Sequence, residues 1–186
     1  MIKIRRALIS VSDKKNIIKL AKVLKNLNIE IISTGGTASL LKDNDIKVID
    51  VSNYTGFPEM LDGRVKTLHP KIHAGILAQK DNPKHIKILE KNNIPQIDLV
   101  IVNLYPFEEA IANPKCTLEL AIENIDIGGP TMIRAAAKNY KSITVLTNPN
   151  EYDYFSNQLL SGKGGIDEQY RFELAQNAFS HTAQYD

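Results

Sequence analysis

The segment from Gly63 to Lys71 gathers basic side chains with no acidic residue among them. Arg64, Lys66 and His69 lie within it, and Lys71 closes it. An ordinary solvent-exposed loop rarely combines so many basic-capable groups without a counter-charge. The segment is therefore a candidate functional loop.

Two histidines in and just after this loop raise the question of a metal site. His69 and His73 lie four residues apart, but the chain lacks the H-E-x-x-H pattern of a zinc helix. Pro70 argues against a regular helix between them. We therefore expect no metal ion there, and we expect one or both histidines to make structural hydrogen bonds.

Hydroxyl groups, glycines and amides are frequent just beyond the ends of predicted strands. The segments concerned are Ser10–Lys14, Ser33–Thr37, Asn103–Tyr105 and Asp126–Gly129. In open α/β sheets, ligands bind beyond the carboxyl ends of the strands. These segments are therefore the candidates for a binding site.

The segment Ser33–Thr37 lies between a predicted strand and a predicted helix and suits an anion. Backbone N–H groups freed by Gly35 and Gly36, together with the positive end of the helix, can surround a phosphate. A tight strand-to-helix turn explains the same residues equally well. With Ser12 and Lys14 predicted at a similar sheet edge, a phosphate ligand is favoured.

Arg134 and Lys138 lie four residues apart on a predicted helix and therefore share a face. A solvated face explains this spacing. The small residues Ala135–Ala137 between them suggest close packing instead, which favours a defined position for Lys138.

Sequence patterns of several other chemistries are absent. No G-x-G-x-x-G follows a predicted strand, and Gly162-Lys163 fails as a phosphate-binding P-loop because Asn157 and Gly164 occupy its required end positions. Cys116 has no adjacent base, and no serine lies in a G-x-S-x-G pattern. The sequence thus disfavours ATP, nicotinamide and serine- or cysteine-nucleophile chemistry.

The elements that would position these residues alternate between strand and helix. Short apolar, β-branched runs predict strands at residues 7–11, 29–33, 47–51, 97–102 and 142–146. Ser12 is predicted to cap a first helix, which ends at Leu27. Further helices are predicted at residues 37–42, 83–92, 117–124 and 130–138, and two more follow the last strand. Residues 52–80 show no clean periodicity, which is often a sign of function. This order predicts a parallel sheet with right-handed crossovers.

Composition places the chain among single-domain globular proteins. It has 186 residues, 43% hydrophobic and 24% charged, with a formal net charge of +2. The net charge gives no case for nucleic-acid binding. A single cysteine and the lack of a signal or membrane-spanning run lead us to expect a soluble cytoplasmic protein. Because patterned sequence continues to Asp186, we expect the chain to be the front piece of a longer protein.

Several long segments, in order, resemble one enzyme family. They are Gly63–Gly75, Asn103–Phe107, Asp126–Pro130 and Arg134–Asn139. These segments look like the N-terminal domain of the bifunctional purine biosynthesis proteins, which join IMP cyclohydrolase to AICAR formyltransferase. Ala178–Asp186 is also similar to that family's interdomain region, so the resemblance covers essentially the whole chain.

The resemblance implies a methylglyoxal-synthase-like, Rossmann-like α/β fold. Three layers would surround a mostly parallel central sheet of about five strands. Residues 1–186 would form a single IMP cyclohydrolase domain. The C-terminal formyltransferase domain, which uses 10-formyltetrahydrofolate, would be absent, and the full-length parent would be a homodimer.

Strand ends and the resemblance together define a set of expected site residues. The nucleotide-binding set is Ser10, Ser12, Asp13, Lys14, Ser33, Thr34, Gly35, Gly36, Thr37, Arg64, Val65, Thr67, Val102, Asn103, Ile127, Gly128 and Gly129. The resemblance implies that the catalytic positions are Lys66, Tyr105, Asp126 and Lys138. We expect a purine ribonucleotide as the partner, with no metal, organic cofactor, nucleic acid or membrane.

The implied reaction closes a ring within 5-formamidoimidazole-4-carboxamide ribotide to give IMP. Lys66 would stabilise the developing negative charge on the formyl oxygen. Lys138 or Tyr105 would move protons if the site lowered its pKa, and Asp126 would hold Lys138 or the carboxamide in place. Two alternatives remain: a non-catalytic nucleotide-sensing domain and a methylglyoxal synthase. The segments Arg64–Lys71 and Asp126–Lys138 favour the cyclohydrolase, because a sensor needs no second lysine cluster.

Overall fold

Five strands form one parallel sheet in the computed structural model, which describes the backbone of residues 1–186 and every side chain except that of Glu109. The sheet has the order β4-β3-β2-β5-β6. Its strands are β2 (Arg6–Val11), β3 (Glu30–Ser33), β4 (Ile49–Asp50), β5 (Leu99–Asn103) and β6 (Thr144–Leu146). A separate antiparallel pair joins β1 (Ile2–Lys3) to β7 (Gly165–Ile166). The predicted parallel five-stranded sheet is confirmed.

The register of the central strands brings their carboxyl ends to one edge. Ile9 of β2 lies opposite Ser33 of β3, and Val11 lies opposite Asn103 of β5. All residues of β5 are buried, as expected for a strand covered on both faces. The segments that follow β2, β3 and β5 therefore emerge side by side.

Ten helices cover the sheet and extend beyond it. They are α1 (Ile17–Asn26), α2 (Gly35–Lys42), α3 (Val51–Thr55), α4 (Pro70–Leu77), α5 (Pro83–Lys91), α6 (Phe107–Ala112), α7 (Leu118–Glu123), α8 (Gly128–Lys138), α9 (Tyr152–Ser161) and α10 (Glu168–Tyr185). Short 3-10 turns lie at Leu61–Gly63 and Pro149–Glu151. One apolar core packs α1 and α9 against the sheet, and a second packs α4, α8 and α10 against it. The three-layer architecture is confirmed.

Three local predictions were wrong. Ser12 does not cap α1. The helix begins after Asn16, and the backbone of Asn16 has the left-handed conformation. The second helix begins at Gly35 rather than at residue 37. Most of α3 and all of α4 lie within residues 52–80, and Pro70 begins α4 instead of preventing it. Proline is well suited to the first turn of a helix, where its missing N–H has no intrahelical partner to lose.

The two histidines near α4 have different surroundings. His69 Nδ1 accepts a hydrogen bond from the Lys71 N–H at 3.1 Å, which confirms the structural role expected of at least one histidine. His73 Nε2 is buried and has no hydrogen-bond partner among the described residues, and burial lowers the pKa of His73. Within the described part of the chain, no three His, Cys, Asp or Glu residues cluster as metal ligands would. Nor does any described helix have the length and apolar character needed to cross a membrane.

A buried carboxylate holds the opposite edge of the sheet, where the strands begin. Asp98 is 5% exposed. Its Oδ2 accepts hydrogen bonds from the N–H groups of Arg5 at 2.8 Å and Arg6 at 2.9 Å, and its Oδ1 forms an ion pair with Lys80. This carboxylate therefore fixes the start of β2 beside the start of β5.

We expect Asp98→Ala to lower the free energy of unfolding by about 3 kcal/mol, because it leaves a partly buried ammonium and two backbone donors without their acceptor. Urea denaturation at neutral pH measures this change. Glu30→Ala is the control, since Glu30 is the half-exposed partner of Arg6 and its loss should cost less than about 1 kcal/mol. Equal losses in the two variants would contradict the role given to Asp98.

Candidate active site

A cavity of about 570 Å³ opens at the carboxyl edge of the sheet. It lies where the segments after β2, β3 and β5 meet the basic loop and the start of α8. Most of the expected site residues line it: Ser10, Ser12, Lys14, Thr34, Gly35, Gly36, Thr37, Arg64, Lys66, Thr67, Val102, Asn103, Tyr105, Asp126, Ile127, Gly128 and Gly129. The volume falls within the range of small-molecule binding pockets.

Three of the expected nucleotide-binding residues do not line this cavity. Asp13 is exposed and accepts a hydrogen bond from the Lys15 N–H at 2.8 Å. Ser33 is fully buried, and its hydroxyl donates to the Ile9 carbonyl at 2.7 Å. Val65 pairs with Met60 in an isolated β-bridge. These residues shape the backbone around the cavity.

Lys138 is also outside the cavity in this chain. It is the last residue of α8 and is exposed, while Ala136 and Ala137 on that helix are buried. A helix rises about 1.5 Å per residue, so Lys138 lies about 15 Å along α8 from Gly128. The close packing expected from the alanines therefore involves their own face of the helix and leaves Lys138 in solvent.

Asn103 holds the segment that follows β2. Its Oδ1 accepts hydrogen bonds from the N–H groups of Ser12 at 2.6 Å and Asp13 at 2.9 Å, and its Nδ2 donates to the Asp13 carbonyl at 2.9 Å. Asn103 is buried. Its amide therefore sets the position of the loop that carries Lys14.

Thr37 performs a similar task for the glycine loop. Its hydroxyl accepts from the Val11 N–H at 3.2 Å and donates to the Val11 carbonyl at 3.0 Å. The side chain is 4% exposed. The Thr37 hydroxyl thus ties α2 to the end of β2.

Two lysine ammonium groups flank the glycine loop. A Cβ atom built on Gly36 would lie 3.9 Å from Lys14 Nζ, and one built on Gly35 would lie 3.6 Å from Lys66 Nζ. Gly35 has a φ of +55°, a conformation that favours glycine. The N-terminus of α2 and the Lys14 ammonium group therefore place positive charge beside the loop, and the Lys66 charge also acts on Asp126.

The start of α8 forms the other side of the cavity. Asp126 Oδ1 accepts a hydrogen bond from the Gly129 N–H at 2.8 Å. A Cβ atom on Gly128 would lie 2.7 Å from Thr67 Oγ1, and one on Gly129 would lie 2.5 Å from Asp126 Oδ2. Glycine at both positions therefore allows Thr67 and Asp126 to approach the helix backbone.

Comparison with known proteins agrees with this geometry. The family model of the MGS-like domain matches residues 16–131, and the model of the AICARFT/IMPCHase bienzyme matches residues 136–186. This chain belongs to the MGS-like domain family. The resemblance found in the sequence motifs is confirmed.

Curated relatives of this MGS-like domain carry the name bifunctional purine biosynthesis protein PurH. One from Neisseria meningitidis serogroup A is 57% identical over 98% of this chain and 34% of its own length. One from Neisseria gonorrhoeae is 56% identical over 98% of this chain and 35% of its own length. The chain thus spans about a third of the length of these relatives.

A solved structure shares the fold. The crystal structure of ForH superposes with a TM-score of 0.84 at 34% identity, covering 98% of this chain and 95% of that one. The architecture described above is therefore shared with ForH along almost the whole chain.

Titratable groups of the MGS-like domain near the start of α8 have shifted pKa values. Burial raises the pKa of Asp126 above its usual range, against the opposing effects of hydrogen bonds from the backbone of Gly129 and Tyr105 and of the Lys66 charge. Burial, assisted by the Asp126 and Glu59 carboxylates, raises the pKa of Tyr105. Tyr105 therefore keeps its proton at neutral pH, and the lowered pKa that would make it a base is not found.

Part of the cavity wall is apolar, which the sequence motifs did not predict. Ile122, Ile125 and Met132 line it beside the polar residues. Ile122 and Ile125 are 56% and 46% exposed. The only signal in the sequence was their spacing of three residues immediately before Asp126, which places them on the approach to the site.

We expect Thr37→Val to destabilise the MGS-like domain by about 1–3 kcal/mol, because valine keeps the shape but loses both hydrogen bonds to Val11. Urea denaturation measures the loss. Ser39→Ala, an exposed change on the same helix, should alter stability by less than about 0.5 kcal/mol. Unchanged stability in Thr37→Val, with weakened anion binding, would instead make Thr37 a direct ligand contact.

Proposed function

We propose that this MGS-like domain is an IMP cyclohydrolase in purine biosynthesis. Its substrate would be 5-formamidoimidazole-4-carboxamide ribotide and its product IMP. One observation carries the proposal: a single cavity joins the cationic glycine loop to a second polar group formed by Lys66, Tyr105 and Asp126. The name of the PurH relatives supports a role in purine biosynthesis, and the name of the AICARFT/IMPCHase bienzyme family supports the cyclohydrolase step.

The two ends of the cavity give the nucleotide one favoured direction. The 5′-phosphate would lie at Gly35 and Gly36, where the N-terminus of α2 and the ammonium group of Lys14 supply positive charge. The base would then lie towards the start of α8. Ile125 and the neighbouring apolar side chains offer contact area to its ring.

The reaction needs no second substrate. The carboxamide nitrogen attacks the formyl carbon of the same molecule and a C–N bond forms. The formyl oxygen then leaves as water, taking one proton from the carboxamide nitrogen and one from the formamido nitrogen. Because both reacting groups are in one molecule, much of the catalysis consists of holding the formyl group in the ring-closing rotamer.

The start of α8 and Lys66 would stabilise the charge that develops on the formyl oxygen. The Gly128 N–H lies in the first helical turn and has no partner among the described residues, whereas Gly129 donates to Asp126 and Pro130 has no N–H. A preorganised donor such as the Gly128 N–H favours an oxyanion. Gly128 leaves room for the Thr67 hydroxyl beside this turn. Lys66 adds a full positive charge near the same region.

Asp126 and Tyr105 would divide the proton transfers. Tyr105 keeps its proton and can donate to the departing oxygen, since burial raises its pKa. Asp126, whose pKa is also raised by burial, is a better proton acceptor than an ordinary aspartate and can take a carboxamide proton. The catalytic role of Lys138, which rests on the family resemblance, stays a prediction, as does a homodimer of the full-length protein.

The decisive assay is to add the formamido ribotide to the purified chain and follow IMP formation by absorbance. We expect conversion that scales with protein concentration. A folded chain that binds IMP but forms none would support the nucleotide-sensing alternative. Methylglyoxal formation from dihydroxyacetone phosphate would support the methylglyoxal synthase alternative.

We expect Lys66→Met to lower kcat by about a hundredfold, because the charge on the formyl oxygen exists only during ring closure. Methionine keeps much of the stem and removes the charge. The matched control is Lys14→Met, which should raise KM while kcat stays within a few-fold. If Lys66→Met also raises KM and keeps kcat, both lysines bind the phosphate. Steady-state kinetics on the ribotide separates these outcomes.

We also expect the rate to survive exhaustive chelation with EDTA, because charge stabilisation is assigned to Lys66 and to a backbone N–H group of α8. Activity is measured before and after treatment and dialysis. Loss of activity that zinc or magnesium restores would show that a metal ion takes part.

A further inference from the structure

Asp126 belongs to a short segment, residues 124–127, that joins α7 to α8. Its Oδ1 accepts a hydrogen bond from the Gly129 N–H at 2.8 Å, but Gly129 is only three residues away along the chain. This bond therefore orients the carboxyl relative to the start of α8 and does not hold the segment against the rest of the domain. The helix before it offers little support, since α7 has no buried residue. A fixed position for Asp126 therefore requires an anchor from another element.

The hydroxyl of Tyr185 supplies this anchor. It accepts a hydrogen bond from the Asp126 N–H at 2.9 Å and donates to the Asn124 carbonyl at 3.3 Å, and we call this pair of bonds the Tyr185 brace. Outside residues 117–131, Tyr185 is the only described residue whose side chain hydrogen-bonds to the backbone of residues 124–127. Burial raises the pKa of Tyr185, so the phenol keeps the proton that it donates.

Tyr185 is itself held in a defined position. It is the last residue of α10 and packs against the second core. Its ring meets the ring of Phe107 edge to face, with the centroids 6.5 Å apart and the planes at 69°. Nearer the start of α10, the buried Arg171 guanidinium donates to the carbonyls of Tyr140 and Ile166. The helix is therefore fixed to the domain, and its end gives the Tyr185 hydroxyl one location.

Tyr185 is not among the described residues that line the cavity. We propose that it is a positioning residue of this site, which acts by holding Asp126 and does not touch the substrate. The inference rests on the proposed function, in which Asp126 accepts a proton from the carboxamide. A proton acceptor must lie within hydrogen-bond reach of the proton that it takes, and a misplacement of about 1 Å costs rate. The Tyr185 brace therefore contributes to kcat through the position of Asp126.

The Tyr185 brace joins two parts of the chain that match different family models. Asp126 lies in the part that matches the MGS-like domain, and Tyr185 lies in the part that matches the AICARFT/IMPCHase bienzyme. All of the residues that line the cavity precede the second part. The part matched to the bienzyme thus reaches the proton-transfer end of the cavity from behind, through one hydroxyl.

Simple fastening of the end of α10 is the competing explanation. In that case, loss of the hydroxyl would lower the stability of the domain, and amides throughout the core would respond alike. If the hydroxyl positions Asp126, the response is confined to residues 124–127 and to kcat. Tyr185→Phe separates the two explanations, because phenylalanine keeps the ring against Phe107 and removes the two hydrogen bonds.

The first test is steady-state kinetics on the formamido ribotide. We expect Tyr185→Phe to lower kcat about fivefold to tenfold, the scale of one or two lost hydrogen bonds, and to leave KM within about twofold. Calorimetric titration with IMP should still give one site per chain, which excludes an unfolded fraction as the cause. A kcat within about twofold of the wild-type value would overturn the proposal, as would a raised KM with unchanged kcat.

The matched control is Tyr170→Phe, the same substitution on the same helix. The Tyr170 ring also meets a neighbouring ring edge to face, that of Tyr154, with the centroids 5.4 Å apart. Tyr170 lies near the start of α10, about 22 Å along the helix from Tyr185. We therefore expect kcat and KM of this variant to equal those of the wild-type chain.

The second test needs no nucleotide and uses NMR hydrogen exchange on the free chain. The Asp126 amide should exchange at least about tenfold faster in Tyr185→Phe, because its acceptor is lost, while the amide of Val100 in β5 should be unaffected. An equal rise at both amides, or no rise at Asp126, would overturn the proposal. A wild-type chain that forms no IMP, with the expected exchange result, would count against the proposed function and leave the Tyr185 brace supported.

Discussion

Parallel pairing of β2 with β3 on one side and β5 on the other is the constraint on which the site depends. It sets the ends of three strands at one edge, so that residues distant in sequence become neighbours. A register shift of one residue would turn the side chain of Asn103 to the other face of the sheet. The three hydrogen bonds that hold the loop after β2 would then be lost.

Buried polar side chains convert this edge into a fixed frame. Ser33, Thr37 and Asn103 each hydrogen-bond to the backbone of β2 or of the loop after it. Such groups are expensive to bury without partners, which makes their positions well defined. Because the hydroxyl and amide groups serve the frame, the backbone N–H groups of the glycine loop and the ammonium groups of the lysines are left to meet a ligand.

Charge is distributed unevenly along the cavity. The glycine loop has Lys14 and Lys66 beside it, whereas the start of α8 has a partly buried carboxyl, Asp126, near the phenol of Tyr105. Burial raises the pKa of both acids, so the second region combines a more basic carboxylate with a protonated phenol. The glycine-loop end of the cavity therefore favours an anionic group, and the end at the start of α8 suits proton transfer.

The sequence by itself determined the alternation of strands and helices, the glycine turn after β3, the family and most of the residues that line the cavity, because apolar periodicity and long motifs are local signals. It misjudged Pro70, since a proline that breaks a helix interior also suits its first turn. Tertiary structure alone decided that Thr37 and Asn103 bind backbone, that Lys138 lies in solvent at the far end of α8, and that Tyr185 meets Asp126. These outcomes depend on the direction in which each side chain points once distant segments have packed, and spacing along one segment carries no information about that.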